Sequence, residues 1–361
     1  MTPASPTTTA ELVQAHERFT ATAAAVDAGT QDVREGLRWL GDRGLLRPVG
    51  DRTARVGRAV RLLRAVAAAS LADAFVAWSQ TMVVEYLTCC PPEPELVDVL
   101  ADLGAGVLPG ATALAPAIAD AGGGAPVPVV AERAADGWTL TGPVPWASNL
   151  FPDAVVVVPA RTDDGGRLVA ALRLGAPGVH VAPAAPLLAL NATGTSSIDL
   201  DSTPVTAGAV LTRDLPAFVG LCRPTMLLTQ AALALGVADG AIASTAEASA
   251  AARSGPVAGV LGEEHRALEA HRDAVADELA ALAAGLDAAE PTAFAFARID
   301  ALRLAARAVE LEGLARGGTG FQAGSAISRR RREAAFLPLQ APTLLQLRAA
   351  VAAQGQRRDR F

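Results

Sequence analysis

The stretch from Leu221 to Arg253 constrains this chain most. Nearly every residue in it is small or apolar, and no polar stripe marks a face turned to water. A helix of that composition is buried on most sides, so other segments must wrap it. Its most apolar part, Met226 to Ala243, is interrupted by Gln230 and Asp239, and a buried bundle helix accounts for it better than a membrane span. The next stretch supplies a packing seam: Leu261, Leu268, Val275, Leu279, Leu282 and Leu286 recur at sevens, then at fours and threes. Ala297 to Leu314 reads as a third helix. A fourth is expected from Pro342, which suits a first helical position because its missing N–H costs nothing there. Leu344, Leu345, Leu347 and Val351 give that helix an apolar face. A run as apolar as Leu221 to Ala252 is not expected to face water, so a homodimer or homotetramer built through this bundle is expected.

Ahead of the bundle the texture changes twice. From Ala10 to about Leu103 the pattern is helical, with helices expected over Val33–Leu46, Val60–Leu87 and Glu95–Leu103. From Pro109 onward glycine, proline and β-branched residues rise. Strands are expected at Val127–Ala131, Trp138–Thr141, Ala154–Pro159, Arg167–Leu174 and Ser197–Leu200, with turns at Asp136-Gly137 and Asp163–Gly166. After Leu211 the pattern is helical again. The expected fold is α+β, mainly α: an N-terminal helical domain over residues 1–108, a central β domain over 109–208 and a C-terminal four-helix bundle over 209–361.

Composition removes several function classes. The net charge of -6 argues against nucleic acid as the ligand. All 31 basic residues are Arg, so no Lys is available as a Schiff-base residue or general base. Cys89, Cys90 and Cys222 give neither a disulfide framework nor a CxxC pair, which fits a reduced, cytoplasmic setting. The segment MTPASPTTTAEL lacks a basic flank and an apolar core, so no signal peptide is expected there. His265 and His271 are six apart, on different faces of a helix, and no metal site is expected. Neither a P-loop, a GxSxG nor a GxGxxG occurs. The run Arg329 to Arg332 reads as a solvated helix face.

Two stretches carry chemistry. Gly317 to Arg348 opens with a glycine turn that ends on an aromatic: Gly317, Gly318, Gly320, Phe321. After it come a basic run, a short apolar segment and the Pro342-Thr343 helix start. The second stretch is GWTLTGPVPWASN, Gly137 to Asn149. By pattern it is a hairpin with Trp138 in the core. Trp146 offers a large flat apolar wall, and the Ser148 hydroxyl can donate and accept.

Together these stretches resemble the acyl-CoA dehydrogenase superfamily. There a GG-x-G-aromatic loop touches FAD, an Arg-Asp pair comes next, and a catalytic Glu stands before Gly-Thr at the head of the last helix. Here Arg332-Glu333 stand at the pair, Thr343 at the Thr and Ala341 at the Glu. The family's Trp-x-Thr/Ser-Asn, whose Trp packs on the isoalloxazine and whose hydroxyl bonds near the N5/O4 edge, matches Trp146, Ser148 and Asn149. A loop for flavin and pyrophosphate corresponds to Thr112 to Gly124. Arg253, in Arg253-Ser254-Gly255, stands where the family has an Arg reaching the FAD pyrophosphate. Thr195 stands in the strand that closes the β domain and is taken as structural. The resemblance implies a cofactor, FAD or reduced FMN/FAD supplied by a flavin reductase, and a small-molecule or acyl-thioester substrate.

Ala341 limits the mechanism, because alanine cannot remove an α-proton. Cys222 to Leu235, where some relatives carry the Glu instead, holds no carboxylate. Three readings remain: a flavin monooxygenase using reduced flavin and O2, a dehydrogenase or oxidase with a displaced base, or a non-catalytic subunit paired with a homologous one.

Overall fold

The computed structural model describes residues 7–90, 93–251 and 256–354. Arg253 lies outside them. The N-terminal helices are α1 (Thr9–Asp27), α2 (Arg34–Asp42), α3 (Arg52–Ala69), α4 (Leu71–Cys89) and α5 (Pro94–Gly104). Helix α1 starts on a capping box between Thr8 and Glu11. The single helix expected over Val60–Leu87 is two. Ser70 leaves the helical region (φ -151°, ψ 115°) and its Oγ accepts from the Asp73 N–H, so one residue ends α3 and caps α4.

The strands form one mixed, eight-stranded sheet: β1 (Gly110–Thr112), β2 (Val130–Ala134), β3 (Gly137–Ala147), β4 (Val155–Thr162), β5 (Arg167–Arg173), β6 (Val179–Val181), β7 (Ser196–Thr206) and β8 (Val210–Thr212). The order is β6-β7-β3-β2-β4-β5-β8, with β1 beside β4. Strand β4 pairs in parallel with β1 and β2, and the remaining pairs are antiparallel. A short helix, α6 (Ala115–Ala121), comes after β1.

The C-terminal region holds α7 (Leu215–Ala251), α8 (Pro256–Ala284), α9 (Pro291–Arg316), α10 (Ala326–Phe336) and α11 (Leu344–Ala353). Helix α7 is long and apolar enough to cross a membrane, but 83% of its apolar window is buried by the rest of the chain. It is the central core helix, with α3, α4, α8 and α9 packed around it. The apolar surface from which an interface is expected is therefore covered within the chain. Two glycines of α7 let α3 approach closely: a Cβ on Gly236 would lie 2.3 Å from the Arg64 carbonyl oxygen, and one on Gly240 would lie 2.4 Å from that of Ala68.

The basic run departs from its reading as a solvated face. It forms α10, where Arg329 is buried and donates to the Ala69 carbonyl at 2.9 Å. Arg330 pairs with buried Glu312, and Arg332 with Asp27 at 2.5 Å. Pro342 also sits differently. Helix α11 begins at Leu344 with Thr343 as its cap, accepting from the Gln346 N–H, so Pro342 precedes the cap.

Candidate flavin and substrate site

Strand β3 prepares the site. Val144 faces Ile198 of β7 and Ala147 faces Ser196, so one extra residue is inserted between them. Such a bulge re-aims side chains. Here it turns Trp146 outward, 59% exposed, while Val144 and Ala147 stay buried. Trp138 lies in the core, as expected.

Trp146 and Ser148 stand at a cavity of about 540 Å³ between the sheet and the helical domains. That size suits a small organic ligand. Helix α4 contributes Phe75, Trp78 and Tyr86; α7 contributes Met226; the segment after β6 contributes Leu187 to Leu190; the end of α10 and the turn beyond it contribute Arg332, Phe336, Leu339, Gln340 and Ala341. Phe75 stacks on Trp78 with centroids 5.3 Å apart and meets Phe336 edge-on at 4.9 Å. The wall is thus largely aromatic and aliphatic. Sequence reasoning passed over these α4 residues, because aromatics at helical spacing usually mark a core.

The polar groups are few. Ser148 Oγ lies 2.7 Å from Thr195 Oγ1, which lies 2.7 Å from Thr193 Oγ1, which donates to the Leu190 carbonyl at 2.8 Å. Each hydroxyl has one proton. The carbonyl takes that of Thr193, so Thr193 accepts from Thr195, and Thr195 accepts from Ser148. The relay leaves Ser148 only lone pairs for a ligand. Thr195 lines the cavity as well, a role beyond the structural one expected of it. Tyr86 OH and Thr112 Oγ1 bond at 3.2 Å, and burial pushes the Tyr86 phenol well above its usual range.

Ala341 lines the cavity, and no Asp or Glu does among the described residues. Glu85, next to Tyr86 in sequence, turns instead to Arg52 at 2.9 Å and accepts from Thr225 Oγ1 at 2.9 Å. Asp239 is held by Arg64 at 2.6 Å, and it lies about 20 Å along α7 from Met226 at 1.5 Å rise per residue. The segment at Ala341 is fixed from behind. Arg298 donates to the carbonyls of Gln340 (2.8 Å) and Pro342 (2.5 Å), and Gln230 to that of Ala341 (2.9 Å). Arg298 is fully buried, and desolvation lowers its pKa to about 9.

The remaining predicted site residues lie elsewhere. Asn149 is buried with φ 64°, and its Nδ2 donates to the carbonyls of Val76 and Gly110 at 2.9 and 3.0 Å, tying β3 to α4 and β1. Thr343 serves as a helix cap. Gly317, Gly318, Gly320 and Phe321 form a turn at the far end of α10, about 16 Å from the cavity end by helix rise. Phe321 is 85% exposed there.

No family model and no curated protein sequence matches the chain. Solved structures do. Butyryl-CoA dehydrogenase from Megasphaera elsdenii superposes with a TM-score of 0.85 at 17% identity, over 96% of this chain and 98% of that one. A glutaryl-CoA dehydrogenase in complex with glutaryl-CoA gives 0.84 at 16% identity, over 99% and 98%. PigA, solved with FAD and proline, gives 0.81 at 14% identity, over 97% and 99%. At these identities the likeness is one of fold. The fold is the one seen in these acyl-CoA dehydrogenase structures.

Proposed function

We propose that this chain is a flavin-dependent oxidoreductase that uses reduced flavin, FMN or FAD, and O2 as a monooxygenase on a small neutral substrate. The residues at the cavity suit a flavin ring: Trp146 offers an exposed flat face and Ser148 a hydroxyl beside it. Reduced flavin, when bound, supplies the electrons for putting one oxygen atom of O2 into the substrate and releasing the other as water. The chain's own residues bind, orient and exclude water, and the apolar wall of Phe75, Trp78 and Phe336 serves the last of these.

The observation that carries the reading is the hydroxyl relay behind Ser148. It leaves Ser148 an acceptor toward the ligand. Oxidised flavin offers only acceptors at its N5/O4 edge, whereas reduced flavin carries an N–H at N5. Binding the oxidised ring breaks one bond of the relay, worth about 1 kcal/mol. The lining holds no carboxylate among the described residues, which supports the same reading over α-deprotonation of an acyl thioester. A flavin reductase as partner and a cytoplasmic setting belong to this proposal.

The test compares flavin binding anaerobically. Reduced FMN or FAD should bind about fivefold more tightly than the oxidised form, the equivalent of about 1 kcal/mol. Thr195→Val should abolish the preference by freeing the Ser148 hydroxyl to rotate. Equal binding of both forms by the wild type removes the relay argument. Rapid flavin reduction by a simple acyl-CoA would establish dehydrogenation instead, and failure to bind either form would favour the partner-subunit reading.

A further inference from the structure

Spacing along the sequence pairs none of the cysteines, but the fold brings two of them together. Helices α4 and α7 run antiparallel along one seam. Trp78 Nε1 donates to Thr229 Oγ1 at 3.0 Å, and Thr225 Oγ1 donates to Glu85 at 2.9 Å. Cys89 lies one turn beyond Glu85 on α4, and Cys222 one turn before Thr225 on α7, so the same seam carries them to each other. Tyr86 and Phe218 flank the pair with ring centroids 5.6 Å apart. Arg52 holds this register, bonding Glu85 at 2.9 Å, Thr225 Oγ1 at 3.1 Å and the Leu221 carbonyl. The Cys222 thiol is hydrogen-bonded to Cys89, and that bond together with burial raises its pKa well above the usual thiol range.

The two residues differ in access. Cys222 is 4% exposed. Cys89 is half-buried at the last residue of α4, and the backbone is extended from Cys90 onward. Cys89 can therefore meet a small reagent and shift toward its partner. Cys90 is a poor alternative, because sequence neighbours stand about 3.8 Å apart at Cα, closer than disulfides favour.

We propose that Cys89 and Cys222 are an oxidation site for hydrogen peroxide, which closes a reversible disulfide between α4 and α7. The Cys89 sulfur attacks one peroxide oxygen, the O–O bond breaks, and the other oxygen leaves with the thiol proton as water, giving a sulfenic acid. The Cys222 sulfur then attacks the Cys89 sulfur. The S–S bond forms, the S–O bond breaks, and the hydroxyl leaves with the Cys222 proton as water. Two thiols lose two electrons, and one peroxide becomes two waters. Tyr86 and Met226, each one turn from the pair, line the flavin cavity, where reduction of O2 without oxygenation of a substrate would release peroxide. Only that source rests on the monooxygenase reading.

The test treats the full-length, flavin-free chain with about one equivalent of hydrogen peroxide, then denatures it, alkylates it with iodoacetamide and weighs it. Of the three cysteines, only Cys90 should still take a label, and dithiothreitol before alkylation should restore all three. Cys90→Ser should form the same bridge, and Cys89→Ser should form none. Retention of all three labels, a bridge that uses Cys90, or a link between two copies overturns the proposal. The wild type carries the main readout, so the result does not depend on how well a variant folds. The assay needs no flavin, so the cysteine pair and the monooxygenase reading stand or fall separately.

Discussion

Glu333 sits inside α10 with 3% of its surface exposed, accepting from the Leu71 backbone at the start of α4 and 3.7 Å from Arg329. Burial outweighs these partners and raises its pKa to about 7. Asp73, buried beside Ser70, is raised to about 6 for the same reason. The folded chain therefore holds these protons more tightly than the unfolded one. That contribution is present in full below about pH 4 and is lost as pH rises through 7. Glu333→Gln imitates the protonated form. Urea titrations should find the variant more stable than wild type at pH 8, by on the order of 1–3 kcal/mol, and the gap should close toward pH 4.5. Parallel curves would show that the carboxyl is not held protonated. Nothing in the string RRRRE announced this, because four arginines read as a solvated face until each partner is known. Trp146 and Ser148 were legible because the bulged strand carries a recognisable residue order. The relay through Thr193 and Thr195 was not, since it depends on the loop before β7 folding back against the end of β3.

At the scale of elements, the period of apolar residues located most helices and strands, and it failed where that period runs on unbroken. No apolar gap marks Ser70, so α3 and α4 read as one; only the capping oxygen separates them. Helix α7 was recognised as buried, and within the chain its cover is α3, α4, α8 and α9, a set of neighbours that composition does not specify. The α3–α7 contact makes its own prediction. Gly236→Ala gains up to about 1 kcal/mol of helix propensity. Against this, its Cβ would meet the Arg64 carbonyl at 2.3 Å and Ala67 Cβ at 2.7 Å, both on a packed helix that must move. Overpacking costs about 1–3 kcal/mol, so the net effect should be destabilising. Gly259 in α8 has open space around its Cβ position, and Gly259→Ala should be neutral or stabilising. Thermal midpoints of the two variants should move apart. If both rise, the two helices are not as closely locked as their carbonyl contacts imply.

For the whole molecule, several exposed apolar side chains lie on the C-terminal helices outside α7. Val257 and Val260 project from α8, and Leu314 and Phe321 flank the glycine turn after α9. We propose a dimer or tetramer that covers them and in which the glycine turn of one copy serves the flavin of another, as the resemblance to acyl-CoA dehydrogenases implies. Light scattering at micromolar concentration should give a mass of at least twice 36.6 kDa, and Phe321→Ser should lower flavin affinity. A monomeric mass removes this arrangement. Within each copy, the floor of the cavity has a different kind of history. Three successive carbonyls, those of Gln340, Ala341 and Pro342, are clasped by side chains from α7 and α9. Such a mount does not depend on what stands at position 341. The alanine codons GCA and GCG become glutamate codons by a single base change and the other two by two, so on this scaffold a general base can be gained or lost in one or two nucleotide changes, with the backbone already in place for either.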